Sequence, residues 1–152
     1  MQNQPLFIST KVRGVIIHEG KVYLCKWVSR NERGGFYCLP GGTLESWETR
    51  LECLKRELIE ELGVEPVIGN LIYTQEFIRE NSTTSFDFWY EIKNSEDYLN
   101  VDISQCSHGF EHSEVGFYNE NSLLDGIVRP ENIWELVQIW EKNGGVFVQN
   151  IT

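Results

Sequence analysis

The sequence predicts an α/β domain, with strands alternating with two main helices and packing in layers. Two observations predict it. Runs rich in β-branched and aromatic residues lie at 12–18, 21–28, 67–80 and 83–93, and such runs read as strands. Between and after them, two stretches repeat apolar residues at helical spacing, one running from Ser46 or Glu48 to Gly63, the other over 130–143. The chain has 152 residues, 41% hydrophobic and 24% charged. That is the size of one domain with a sizeable core, so residues 1–152 are read as a single unit.

The elements follow in order. Runs 12–18 and 21–28 flank Glu19 and Gly20, a hairpin signature. The segment SRNERGG at 29–35 is a polar loop. A short strand at 36–38 leads into Pro40, Gly41 and Gly42, which cannot continue a helix and permit close backbone approach. The first helix carries an apolar stripe of Trp47, Leu51, Leu54, Leu58 and Leu62, and Gly63 stops it. Two long strands at 67–80 and 83–93 turn at Asn81 and Ser82, and 111–118 forms a further strand. The second helix opens on Pro130, buries Ile133, Trp134, Val137 and Trp140, and ends before Gly144. Residues 146–149 add a last short strand.

The formal net charge is −10, with a pI near 4.7. Duplex nucleic acid is bound mainly through Lys and Arg on phosphates, so a nucleic-acid polymer is excluded as partner. A small anionic substrate stays admissible if cations bridge it to the acidic protein. No apolar run approaches the roughly 18 residues that cross a bilayer, so no membrane partner is expected. The N-terminal MQNQPLFISTKVR lacks a basic start followed by an apolar run. The four cysteines, Cys25, Cys38, Cys53 and Cys106, lack CxxC spacing. A reducing, cytoplasmic location is expected.

The chemistry concentrates in residues 42–64, GTLESWETRLECLKRELIEELGV. Glu57, Glu60 and Glu61 are related as i, i+3 and i+4, which places all three on one side of a helix. Like charges so placed repel and weaken the helix unless a cation sits among them. A hard dication with oxygen ligands is the natural partner, and Mg²⁺ typically combines carboxylates with substrate phosphates. The pattern points to a metal-dependent phosphate-ester or phosphoanhydride enzyme. An isolated Glu-Glu pair would more often be a solvated helix face.

The same segment resembles the Nudix box, G-x5-E-x7-R-E-U-x-E-E-x-G-U, with U a bulky aliphatic. Gly42, Glu48, Arg56, Glu57, Leu58, Glu60, Glu61, Gly63 and Val64 fill it without a gap, after the lead-in Leu39, Pro40 and Gly41. Its seven fixed identities would coincide by chance in on the order of one window in a billion. The resemblance implies an α/β/α sandwich around a mixed sheet. It also implies hydrolysis of a nucleoside diphosphate linked to another moiety, with Mg²⁺ or Mn²⁺. In that frame Glu57 is the general base or a water-orienting ligand. Glu60 and Glu61 are metal ligands, joined by the Gly41 carbonyl, and Arg56 orients the glutamates together with Glu48. Relatives often recruit one more glutamate downstream, and Glu111 is favoured here over Glu114.

Lys26, Arg30 and Arg33 form the one locally cationic stretch, either gripping a substrate phosphate or solubilising a loop. Trp27, Phe36 and Tyr37 are placed to stack on a base or to fill the core, whereas Trp89 is read as core. His108 and His112 lack an HExxH pattern and are read as surface or polar-network residues rather than zinc ligands. Trp47 stands where the family often has Gly, at a position the box leaves free. Neither the Pro downstream of the box that often marks ADP-ribose hydrolases nor the Tyr of dinucleoside polyphosphate hydrolases is found near Arg79. Nucleoside triphosphates, nucleotide sugars and similar small diphosphates stay open. The alternatives are a non-catalytic nucleotide-binding sensor and an isomerase, which the undecayed box disfavours. Aromatic residues near the second helix would permit a homodimer.

Overall fold

The long runs become strands of two sheets in the computed structural model, which describes residues 7–28, 35–78, 83–123, 126–143 and 148–151. The strands are β1 (Ile8–Val15), β2 (Ile17–His18), β3 (Lys21–Trp27), β4 (Phe36–Cys38), β5 (Gly41–Thr43), β6 (Ile68–Ile78), β7 (Thr84–Ile92), β8 (His112–Tyr118) and β9 (Val148–Ile151). The helices are α1 (Arg50–Leu62) and α2 (Ile133–Asn143). One sheet has the order β5-β1-β7-β6-β9. It is mixed: β1 runs parallel to β7 and β6 to β9, while β1–β5 and β6–β7 are antiparallel. The smaller sheet is centred on β3, which pairs with β2, β4 and β8.

Alternation along the strands builds two cores on opposite faces. Tyr23 and Cys25 of β3, with Tyr90 and Ile92 of β7, pack with Cys53, Leu54, Leu58 and Leu62 of α1. Val22 and Leu24 of β3, with Trp89 of β7, pack instead with Ile133 and Val137 of α2. One helix covers each face, as the expected α/β/α sandwich requires.

Several boundaries differ from the sequence reading. The expected hairpin survives only at its tip, where Ile17 opposes Val22 and His18 opposes Lys21. The strand ahead of it starts earlier, at Ile8, and pairs with β7 over eight positions, so β1 and β3 belong to different sheets. Gly41 and Gly42 lie in a strand rather than a loop, opposite Arg13 and Val12. Gly41 has φ +136°, and a Cβ there would sit 2.0 Å from the Val12 carbonyl oxygen. Only glycine permits that approach.

Helix α1 begins after Thr49, not at Ser46 or Glu48. Thr49 and Glu52 form a capping box, with each side chain accepting from the other's backbone N–H. Trp47 therefore falls before the helix at 71% exposure, and Leu51 in the first turn is 49% exposed. The buried stripe is Leu54, Leu58, Glu61 and Leu62, so one acidic residue lies on the core side. Helix α2 starts at Ile133 rather than 130, because the Ile133 N–H donates to the Pro130 carbonyl in a preceding turn. Its Trp134 and Trp140 are partly buried against the second core. The last strand is described over Val148–Ile151 and runs past the expected 149, while residues 146 and 147 lie outside the described residues. Among the described residues, no helix is long and apolar enough to cross a membrane.

Candidate functional site

The acidic residues converge on the C-terminal half of α1, where the helix dipole is negative and no basic residue occupies the last turn. Dipole and mutual repulsion both work against the three carboxylates there. One guanidinium offsets part of this. Arg56 donates to Glu48 through Nε (2.9 Å to Oε2) and Nη2 (2.7 Å to Oε1), a bidentate pair. Its Nη1 donates to Glu57 Oε1 at 2.9 Å and Glu60 Oε2 at 3.2 Å. The Glu48 side chain is almost fully buried, at 1% exposure. The Arg56 hydrogen bonds hold its carboxyl well below the usual range, at about 2. Exposed Trp47 contributes from outside, its ring 5.9 Å from the Arg56 guanidinium carbon.

Glu57 is partly buried over β5. A Cβ on Gly42 would lie 2.3 Å from its carboxylate, so the box glycine leaves the space in which that carboxylate rests. Burial first, and then the neighbouring Glu61 carboxylate, push the Glu57 carboxyl above its ordinary value, against the opposing pull of Arg56.

Glu61 is 1% exposed. Its Oε2 accepts the Gly41 N–H at 3.3 Å, which pins the carboxylate to the β4–β5 turn. The Gly41 carbonyl accepts from Arg13 Nη1 at 3.1 Å, and the same nitrogen reaches the Leu39 carbonyl at 3.2 Å. A carbonyl has two lone pairs, so Gly41 keeps one for a further partner. The sequence reading passed over Arg13, although a charged residue inside the apolar run KVRGV signals a buried polar contact.

The segment before β8 closes the far side. The His108 N–H donates to the Glu60 carbonyl at 2.8 Å, and His108 Nδ1 lies 3.0 Å from Glu60 Oε2. His108 is thus part of a polar network, as one sequence reading had it. Glu61, Glu111 and His112 each offer a ligand atom within 4.8 Å of the others. Glu114 points elsewhere, accepting from Tyr37 Oη at 3.2 Å and from Tyr118 Oη. His112 is not a surface residue: it is 5% exposed and faces Glu61. Its signal in the sequence was only its place beside Glu111 at a strand start.

The donor set fits a divalent cation. Carboxylate and carbonyl oxygens gather with unfavourable mutual charge, and β5 leaves Glu57 a cradle that a Cβ would fill. Arg30 and Arg33 lie outside the described residues. Of the aromatics considered for base stacking, Tyr37 and Trp89 are buried in the second core, while Trp27 and Phe36 are partly buried.

A NUDIX domain model matches residues 9–135. The chain is 33% identical over 61 residues to the CTP pyrophosphohydrolase of Escherichia coli (strain K12), covering 40% of this chain and 45% of that protein. It is 36% identical over 84 residues to the 8-oxo-dGTP diphosphatase of Proteus vulgaris, covering 53% of this chain and 75% of that one. The chain thus spans less than half the length of the first of these relatives. Its fold is similar to that of the MutT protein from Methanosarcina mazei Go1, with a TM-score of 0.69, 21% identity, and coverage of 93% and 99%. With the domain model covering most of the chain, α1 included, the chain belongs to the Nudix family of hydrolases.

Proposed function

We propose that this protein is a Mg²⁺- or Mn²⁺-dependent pyrophosphohydrolase that cleaves a phosphoanhydride bond in a small nucleotide-type substrate. The observation that carries this reading is the cluster of Glu57, Glu60 and Glu61, braced by Arg56 and placed at the negative end of α1. Glu60, Glu61, the Gly41 carbonyl and Glu111 would hold the cation. A bound dication supplies Lewis-acid screening of the phosphoanhydride oxygens. Glu57 takes the proton of the attacking water, and its partly buried place over β5 makes that carboxylate more basic than an exposed one. Arg56 keeps Glu57 and Glu60 in position. Arg30 and Arg33 are assigned to the substrate phosphates.

The activities named for the two curated relatives favour nucleoside triphosphates over the other diphosphates. The four cysteines are free, which suits a reducing, cytoplasmic setting. The experiment is hydrolysis of CTP and 8-oxo-dGTP with either metal, comparing wild type with Glu57→Gln. Turnover that drops roughly a hundredfold or more in a folded variant supports the reading. Near-normal turnover in that variant contradicts it.

A further inference from the structure

His112 has no role in the scheme above, yet its surroundings are unusual for a core histidine. It opens β8 where the pairing with β3 shifts register: Lys26 opposes Glu114, but Trp27 opposes His112. Such irregularities re-aim side chains and are over-represented beside active sites. The Trp27 ring meets the imidazole edge-on, with centroids 5.3 Å apart and planes at 89°, which fixes its tilt. The side chain is completely buried. Neither ring nitrogen has a hydrogen-bond partner among the described residues. A structural histidine in a core would normally have both satisfied. Nε2 instead lies 3.5 Å from Glu61 Oε2, within the group that includes Glu111. The three residues thus present donor atoms within 4.8 Å of one another, close enough to be drawn onto one ion.

We propose that His112 Nε2 is a metal ligand together with Glu61 and Glu111. This gives the site a nitrogen donor that favours Mn²⁺ and heavier first-row dications over Mg²⁺. Imidazole suits those borderline ions, whereas Mg²⁺ takes oxygen ligands. The inference rests on the reading that Glu61 and Glu111 hold a cation, and the experiment separates the two.

The chain has three histidines, His18, His108 and His112. Protein carrying ¹⁵N-imidazole histidine is loaded with Mn²⁺, and electron spin-echo modulation reads nitrogen bound to the ion. Wild type and the His18→Gln/His108→Gln double variant, in which His112 is the sole imidazole, are expected to show the coupling. His112→Gln is expected to lose it, with Mn²⁺ affinity falling about tenfold and Mg²⁺ affinity changing far less. Bound Mn²⁺ without imidazole coupling in the double variant overturns the inference and leaves the proposed hydrolase standing. Failure of wild type to bind either ion overturns both. Should His112→Gln not fold, the double variant alone decides.

Discussion

Glu57 and Glu48 sit on either side of Arg56 and are tuned in opposite directions. Glu57 titrates above its ordinary value. Its contribution to stability is therefore fully present below the unfolded-state value and lost as pH rises through the folded one. Cation-free Glu57→Gln should then melt at or above the wild-type temperature at pH 7.5, with the gap closing below about pH 4. Thermal scans in a chelator check this. Glu48, held at about 2, stabilises above the unfolded value and loses that contribution as pH falls from the ordinary range toward 2. Arg56→Met leaves the buried Glu48 carboxylate unpaired and should destabilise the fold by about 2 to 3 kcal/mol, measured by urea unfolding; the exposed part of Arg56 reduces the usual cost. At this scale the sequence was informative for residues whose spacing is local. Glu57, Glu60 and Glu61 share a helix, so their proximity follows from 3.6-residue periodicity. Arg13 reaches the Gly41 carbonyl from β1 and His112 faces Glu61 from β8, and no local pattern announces contacts between segments so far apart in chain order.

Helix α1 carries the site because its two ends are fixed. The Thr49 capping box sets the start, and Gly63, at φ +71°, ends it with its N–H on the Ile59 carbonyl. Thr49→Ala should cost about 1 kcal/mol, read as a shift in denaturant midpoint. Strand β5 is the other half of the device. Gly42→Ala would place a methyl 2.3 Å from the Glu57 carboxylate. It should lower turnover at least tenfold while the far-ultraviolet spectrum stays native. The end of α1 at Gly63 was readable from the glycine itself. The start was not: the sequence reading placed it at Ser46 or Glu48, and the reciprocal bonds between Thr49 and Glu52 fix it later. That three-residue shift moved Trp47 off the helix and Leu51 out of the core. The short strand at Gly41–Thr43 was also hidden, since glycines signal turns unless a neighbouring strand comes as close as β1 does here.

The whole molecule is a pair of cores divided by two sheets, with α1 and α2 covering opposite faces. The layered α/β class was legible from strand and helix periodicities. The split into two sheets was not, because strand pairing is set by long-range packing rather than by the runs themselves. With a net charge of −10 and carboxylates gathered at one helix end, the cation-free protein should be the less stable form. A dication at a hundredfold over its Kd should add about 2.7 kcal/mol, raising the melting temperature by roughly 5 to 10 °C. Glu61→Gln should abolish that gain. The most direct measurement is a hydrolysis screen across nucleoside triphosphates, nucleotide sugars, ADP-ribose and dinucleoside polyphosphates, with Mg²⁺ or Mn²⁺, for wild type and Glu57→Gln. The account predicts metal-dependent cleavage of at least one nucleotide phosphoanhydride by wild type, lost in the folded variant. Saturable nucleotide binding by wild type with no product under either metal would contradict it and identify the domain as a sensor.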